Sequence, residues 1–300
     1  MRTRYLAPAA AFVAVAALAL TGCVDNSTPS SSSSASSSAD TVKKDDSLAS
    51  QLPDKIKSAG TLTIGMDDTY PPNEYKDDNG KPVGWEVDLT NAIAAKLGLK
   101  TNFAIAKFDN IIPSVAGGKD DIGMSSFTDT TDREKQVDFV NYYTAGIMWA
   151  SAKGKTVDPD NACGLKVAVQ STTYEDTDEV PAKSKACTDA GKAAIQVLRY
   201  DAQDDATNAV ILGKADALSA DSPVTLYAIS KSQGKLQEAG KAFEVAPYGI
   251  PIAKGSALTP VIQKTVQALI DDGTYKKILD KWGVADGAVT TADVNAASKG

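Results

Sequence analysis

From Thr61 onward, short apolar runs of strand character alternate with helical stretches, and this rhythm constrains the fold more than any other feature. Thr61 to Met66, "TLTIGM", reads as a strand, and a turn-rich "DDTYPPNEYKDDNGKPVGW" follows it. Glu86 to Leu97 carries apolar residues at Val87, Ile93 and Leu97 and stops at Gly98, the pattern of an amphipathic helix with a glycine terminator. "KTNFAIA" is a second strand. Asp109 is placed to cap the next helix, whose apolar residues are Ile111, Ile112 and Val115, and Ile122 to Met124 is a third strand. A second series begins at Leu165 with "LKVAVQ". It continues through a helix near Tyr174 to Ala190, a strand near Ile195 to Arg199, a helix near Asp204 to Leu212 and a strand near Ala217 to Ala220. Two such series predict parallel α/β units.

The two series share a detail. "SVAGGKDDIGMSS", Ser114 to Ser126, and "NAVILGKADALSAD", Asn208 to Asp221, each run from an apolar helix end through Gly-Lys and an acid into a small-residue strand. With Gly118 over Gly213, Ser126 falls over Asp221. Chance also produces similarity of this extent, so it is a hint of two like lobes. Open α/β sheets bind ligands beyond the carboxyl ends of their strands. If Ser126 and Asp221 end equivalent strands in facing lobes, they look at one another across a cleft. One wall then offers the hydroxyls and amides of "MSSFTDTTDR" and the cation Arg133; the other offers a carboxylate. That pattern suits a zwitterion.

The N-terminus reads as export rather than fold. Arg2 and Arg4 precede an apolar stretch from Leu6 to Leu20, the layout of a secretory signal. A membrane span needs ~20 apolar residues, and this run is shorter and contains Pro8. Leu20-Thr21-Gly22-Cys23 resembles a lipobox, which implies cleavage after residue 22 and lipidation of Cys23. The serine-rich segment after it cannot bury a core and reads as a flexible stalk to residue 51. Cys163 and Cys187 remain, either as a disulfide, which an oxidising compartment favours, or as two buried thiols. The 31 basic and 38 acidic side chains give a net charge of −7, and loss of the two arginines in residues 1–22 makes it −9. Nucleic acid wants the opposite balance. There is no histidine, which removes imidazole catalysis and most zinc sites. No metal site, cofactor fingerprint or catalytic constellation is expected.

Seven segments in order resemble those of the bacterial extracellular solute-binding protein family 3, the polar amino-acid receptors of ABC importers. They are "GTLTIGMDDTYPP", "GWEVDLTNAIAAKLG", "FDNIIPSVAGGKDDIGMSSFTDTTDREKQVDF", "KVAVQSTT", "ADALSADS", "APYGIPIAKGS" and "DGTYKKILDKWG". The resemblance implies a two-lobed periplasmic-binding-protein type II fold, α/β, each lobe an open mostly parallel sheet flanked by helices. Two crossing strands, near Ala145 to Ala150 and Ala246 to Ile250, would join the lobes. Lobe 1 would comprise residues 52–145 and 247–284, lobe 2 residues 146–246, and residues 285–300 would form a flexible tail. By the same resemblance Arg133 holds a ligand α-carboxylate, helped by Ser126, Thr128 and Thr173. Asp221 takes the α-ammonium, Tyr70 and Phe108 sandwich the side chain, and Asp67 and Gln170 touch it. Trp85 and Trp282 read as packing residues.

Three departures from the family pattern bear on specificity. Asn73 stands where an aromatic is usual, Asp129 where an apolar residue is usual, and Ser171 where glycine is common. Asp67, with Asp129 as a second candidate, would attract a cation, so the reading leans to a polar or basic amino acid. The expected function is that of an extracytoplasmic, lipid-anchored, monomeric receptor. It would deliver an amino acid to the transmembrane subunits of an ABC permease and perform no bond chemistry. A dehydratase of the same fold and a ligand-sensing ectodomain are the alternatives.

Overall fold

A computed structural model of the protein describes residues 42–299. The signal-like segment, Cys23 and most of the serine-rich stretch lie outside the described residues. Two short helices, α1 (Asp46–Ala49) and α2 (Asp54–Ala59), lead into β1 (Thr61–Met66). A small meander follows, β2 (Thr69–Tyr70), β3 (Glu74–Lys76) and β4 (Pro82–Val83), then α3 (Trp85–Leu97), β5 (Lys100–Ile105), α4 (Phe108–Ala116) and β6 (Ile122–Gly123). The long β7 (Val137–Ala152) leads to β8 (Lys166–Gln170), α5 (Val180–Asp189), β9 (Gln196–Tyr200), α6 (Gln203–Ile211), β10 (Ala217–Asp221) and α7 (Ser222–Lys231). The equally long β11 (Leu236–Ala253) returns to α8 (Thr259–Asp271) and α9 (Thr274–Trp282).

The main sheet has the order β5-β1-β6-β11-β7-β10-β8-β9. Its two halves mirror one another. β1 pairs parallel with β5 and β6, as β8 does with β9 and β10. β6 then meets β11 antiparallel, as β10 meets β7. The strand alternation thus closes into two like lobes, with β6 and β10, the strands before Ser126 and at Asp221, in corresponding places. Only β7 and β11 belong to both. They pair with each other from Val137↔Ala253 to Ala152↔Leu236, and the register slips between Ala239 and Gly249, where the strands pass from one lobe to the other.

Each half-sheet is covered on both faces. In lobe 1, α3, α8 and α9 bury Leu89, Ile93, Ile262, Leu269 and Leu279 against β1 and β11, and α4 buries Ile111 and Val115 with Phe127 and Phe139 on the other side. In lobe 2 one cluster holds Trp149, Val167, Val169 and Val180, and a second holds Ala168, Ala206, Val210 and Leu218. Such fully buried aliphatic side chains each contribute about 1.5–3 kcal/mol. Truncating one, Ile93 for instance, would cost about 2–5 kcal/mol because α3 cannot collapse into the void. α3 ends at Gly98, which takes the left-handed conformation (φ 70°) that a side chain disfavours. α8 opens on Thr259-Pro260, and Gly273 (φ 77°) separates it from α9. Cys163 and Cys187 form a disulfide, Cα–Cα 5.5 Å, tying the loop before β8 to α5. Among the described residues no helix is long and apolar enough to cross a membrane.

Three expectations fail. Residues 46–51 are not stalk: α1 begins there and buries Leu48 in the lobe 1 core, an apolar residue that the polar composition around it conceals. Asp109 is not the cap of α4, which begins one residue earlier; the amide of Phe108 donates to Asp67 Oδ2 (3.2 Å), so the capping carboxylate comes from the β1–β2 loop. Nor is the described C-terminal segment a loose tail. Asn141 N donates to Asp293 O (2.8 Å), and Asn295 N donates to Phe139 O (3.0 Å). Asn295 Oδ1 accepts from Phe139 N (2.7 Å), and Ser298 N donates to Glu134 Oε1 (3.2 Å). The small polar residues there are held by main-chain pairing along the edge of β7 rather than by apolar burial, which is why composition misjudges them.

Candidate functional site

Between the lobes lies a narrow cavity of about 10 Å³, lined by residues of both. Lobe 1 contributes Asp67 and Tyr70 from beyond β1, Phe108 from the start of α4, and Ser125, Ser126, Thr128 and Arg133 from the segment after β6. Lobe 2 contributes Gln170 at the end of β8, then Thr173, Tyr174 and Glu175, and Asp221 at the end of β10. All nine residues expected to contact ligand therefore line one cavity, at strand ends, as open α/β sheets place their sites.

Arg133 lies beside a stacked pair of aromatic rings, Phe108 and Phe127, whose centroids are 4.4 Å apart, its Cζ 5.6 Å from the first and 5.7 Å from the second. It donates from Nη1 to Thr128 O (2.8 Å) in its own lobe and from Nη2 to Thr172 O (3.0 Å) in the other. Its guanidinium is thus fixed in a plane and offers its remaining N–H groups as a rigid fork. Across the cavity, Asp221 is 8% exposed and accepts from the Tyr70 hydroxyl at 2.7 Å. Burial pushes its carboxyl up to about 6, against the opposing pull of the Tyr70 bond and the Arg133 charge. A third tie across the lobes runs from Gln170 Nε2 to Asp67 Oδ2 (3.0 Å), and a fourth, at the rim, from Lys107 to Asp201 (2.6 Å). The cleft is shut.

Ser126 behaves differently from expectation. It adopts a left-handed backbone (φ 51°), donates its amide to Glu86 Oε2 (3.1 Å) and its hydroxyl to Glu86 Oε1 (2.8 Å). Those two donors are turned into the protein, onto Glu86. Behind the site lies a buried polar floor. Ser125 donates to Glu74 Oε1 (2.8 Å), Tyr142 donates to Glu86 Oε1, and Asn73 bridges Trp85 Nε1 (2.7 Å) and Ser126 Oγ (2.7 Å). Burial pushes both glutamate carboxyls up, Glu74 the more strongly. Asn73, the departure from the usual aromatic, is thus a buried connector. Thr173 gives its hydroxyl proton to Gln170 O (2.9 Å), leaving its oxygen lone pairs for a donor.

Asp129 does not face the cavity. Its Oδ2 accepts from Asn141 Nδ2 (2.9 Å) and from the amide of Ala296 (2.8 Å), beneath the C-terminal segment. The second candidate for attracting a cationic side chain is thereby withdrawn. Asp67 stays on the wall, both oxygens engaged: Oδ1 by Thr69, Oδ2 by Phe108 N and Gln170. Trp85 and Trp282 pack against the lobe 1 core, as read. Sequence reasoning missed Ser125, Tyr174 and Glu175. Glu175 follows Thr173 by two residues, at the first turn of a helix leaving a cleft-facing strand end, and that position was the available signal.

This two-lobed fold with its cavity at the crossing strands defines a type II periplasmic-binding-protein architecture. Residues 62–285 match the family described as bacterial extracellular solute-binding proteins, family 3, and the chain belongs to that family. It is 40% identical over 250 residues to the arginine-binding protein ArgT of Corynebacterium glutamicum, covering 83% of this chain and 82% of that one. Among solved structures it resembles an ancestral arginine-binding protein bound to arginine, at TM-score 0.69 and 36% identity over 74% of this chain and 98% of that one. The same ancestral type bound to glutamine matches at TM-score 0.68 and 35% identity, over 75% and 98%.

Proposed function

We propose that the protein captures a basic amino acid, L-arginine foremost, by closing two lobes around it outside the cell membrane, and delivers it to an ABC permease. One observation carries this reading: Arg133 and Asp221, opposite charges from different lobes, line one cavity together with Tyr70 and Phe108. The α-carboxylate pairs with the Arg133 fork, assisted by Thr128 and by Thr173 once its hydroxyl turns from Gln170 O to donate to the ligand. The α-ammonium meets Asp221 where the Tyr70 hydroxyl now sits. The side chain passes between Tyr70 and Phe108, whose faces favour a cation, towards Asp67 and Gln170. The relatives' names support arginine, and the surplus of carboxylates over guanidinium in the cavity supports a ligand of net positive charge.

Because the ligand touches both lobes, its affinity differs between open and closed forms, and that difference drives closure. Lobe 2 is residues 146–246, and lobe 1 is the remainder of the body. Cys23, lipidated after cleavage of residues 1–22, anchors the receptor through the serine-rich stalk. More than one acyl chain makes such anchoring stable. The body acts as a monomer and does no bond chemistry.

Titration calorimetry of the protein against the common amino acids tests the proposal. Arginine is expected to bind most tightly, with lysine weaker and acidic amino acids silent. Tightest binding of an acidic or aliphatic amino acid would overturn the specificity, and binding of none would overturn the function.

A further inference from the structure

Glu175 has no part in the scheme above, yet it lines the same cavity. It is 2% exposed, and its Oε1 has no hydrogen-bond partner. A buried carboxylate oxygen without a donor is costly unless the group is protonated or a cation arrives. The groups that face it are Asp221 from β10, Arg133 and Tyr70 from lobe 1, Thr173 and Tyr174 beside it, and Glu179 from its own helical segment, while Tyr248 and Glu86 face Asp221. Asp176, beside it, is occupied with Arg199 at 2.7 Å. Glu179 is likewise taken up, by Trp149 Nε1 (3.1 Å) and the Ser219 hydroxyl (3.0 Å). Among these groups Arg133 is the one cation, and it is the group needed for the ligand carboxylate.

The cavity lining therefore sets three carboxyl groups, Asp67, Glu175 and Asp221, against one guanidinium. Asp221 and Glu175 repel one another in a medium of low dielectric, which two neighbouring carboxyls relieve by retaining a proton. Burial first, and the Asp221 charge second, push the Glu175 carboxyl up to about 8.

We propose, building on the amino-acid-binding reading, that Glu175 is a ligand-contacting residue which shares the α-ammonium with Asp221, and that loading the cavity expels the proton held by this pair. The proton leaves a carboxyl oxygen for bulk buffer as the O–H bond breaks. The ligand's N–H groups replace it as donors to both carboxylates, and no electrons are exchanged. The receptor then reads the ammonium by a pair of acids, and its affinity follows external pH. Below neutrality protons compete with the amino acid for the same oxygens.

The test is calorimetry of the full chain with L-arginine at pH 7 in phosphate and in Tris, whose ionisation heats differ. The difference between the two binding heats counts the protons released. The wild type is expected to release close to one, and Glu175→Gln to bind arginine while releasing close to none. The wild-type Kd is expected to tighten about tenfold per pH unit from pH 6.5 to 7.5, as release of one proton requires. That measurement stands even if the variant does not fold. Arginine binding with equal heats in both buffers and a flat pH profile would overturn the inference and leave the amino-acid reading intact. Full proton release by Glu175→Gln would equally overturn it. Absence of arginine binding in either buffer would overturn both.

Discussion

Arg133→Ala is the most informative substitution, because its effect on binding and its effect on the fold separate cleanly. The guanidinium makes two hydrogen bonds in the protein, to Thr128 O at 2.8 Å and Thr172 O at 3.0 Å. Both acceptors are main-chain oxygens beside the cleft, within reach of water once the lobes part, so the ligand-free protein should lose no more than about 1–2 kcal/mol. The bound state loses far more. A carboxylate held by a guanidinium fork makes two charge-assisted bonds, each worth about 1.5–3 kcal/mol. Losing about 3–5 kcal/mol weakens Kd by roughly 150- to 5,000-fold. Arg133→Lys keeps the charge but not the planar fork and should fall between. Calorimetry with L-arginine measures the first quantity and thermal denaturation of the empty protein the second. An Arg133→Ala protein with normal melting and a Kd within threefold of wild type would refute the placing of the ligand carboxylate.

Further expectations follow from the same geometry. Asp221→Asn should weaken L-arginine by about 2–5 kcal/mol, the cost of truncating one partner of a buried charge pair, while an analogue without the α-amino group should bind both proteins alike; equal losses in a calorimetric comparison would remove Asp221 from the ammonium site. Replacing Cys163 and Cys187 with serine should cost about 3 kcal/mol, the loop-closure value for residues 24 apart, visible as a lower denaturant midpoint for the lobe 2 transition; an unchanged midpoint would contradict this. The carboxyls of Glu175 and Glu179 are pushed up to about 8, and those of Asp221 and Asp129 to about 6, in each case chiefly by burial. Raised carboxyls favour the fold while protonated, and that contribution is lost as pH climbs through the folded values. The ligand-free protein should accordingly melt higher at pH 5.5 than at pH 8.5, and the reverse order in calorimetric scans would show that these groups are solvated.

Much of the fold is legible because local signals and tertiary demands agree. The apolar spacing of α3 and its stop at Gly98 require no knowledge of neighbours, and neither do the strand runs of β1 and β8. The near-repeat around Gly118 and Gly213 anticipates the mirrored half-sheets. What stays hidden depends on partners distant in sequence. The cap of α4 is Asp67, 41 residues before Phe108. Asp129 looks like a pocket residue until Ala296, 167 positions away, is seen to cover it. In the site, the residues at strand ends are readable because topology puts them there. The direction of Ser126 is not, since it turns on a left-handed φ and on Glu86, a side chain from another element. Glu175 escapes because an acid in the first turn of a helix is ordinary; only its lack of a donor sets it apart.

The passage of the chain twice between the lobes bears on the order in which the protein is made. The main core of lobe 1 draws on Leu48 to Ala145 and again on Tyr248 to Ala292, whereas the buried clusters of lobe 2 lie wholly between Ile147 and Ala239. A chain emerging from the N-terminus therefore completes the interior of its inserted half first. The half that starts earlier waits, with β1 and α3 uncovered, until α8 and α9 arrive. Domains generally fold as units once their parts are present, so a truncation just before α8 should leave the later-starting half intact and the earlier one exposed.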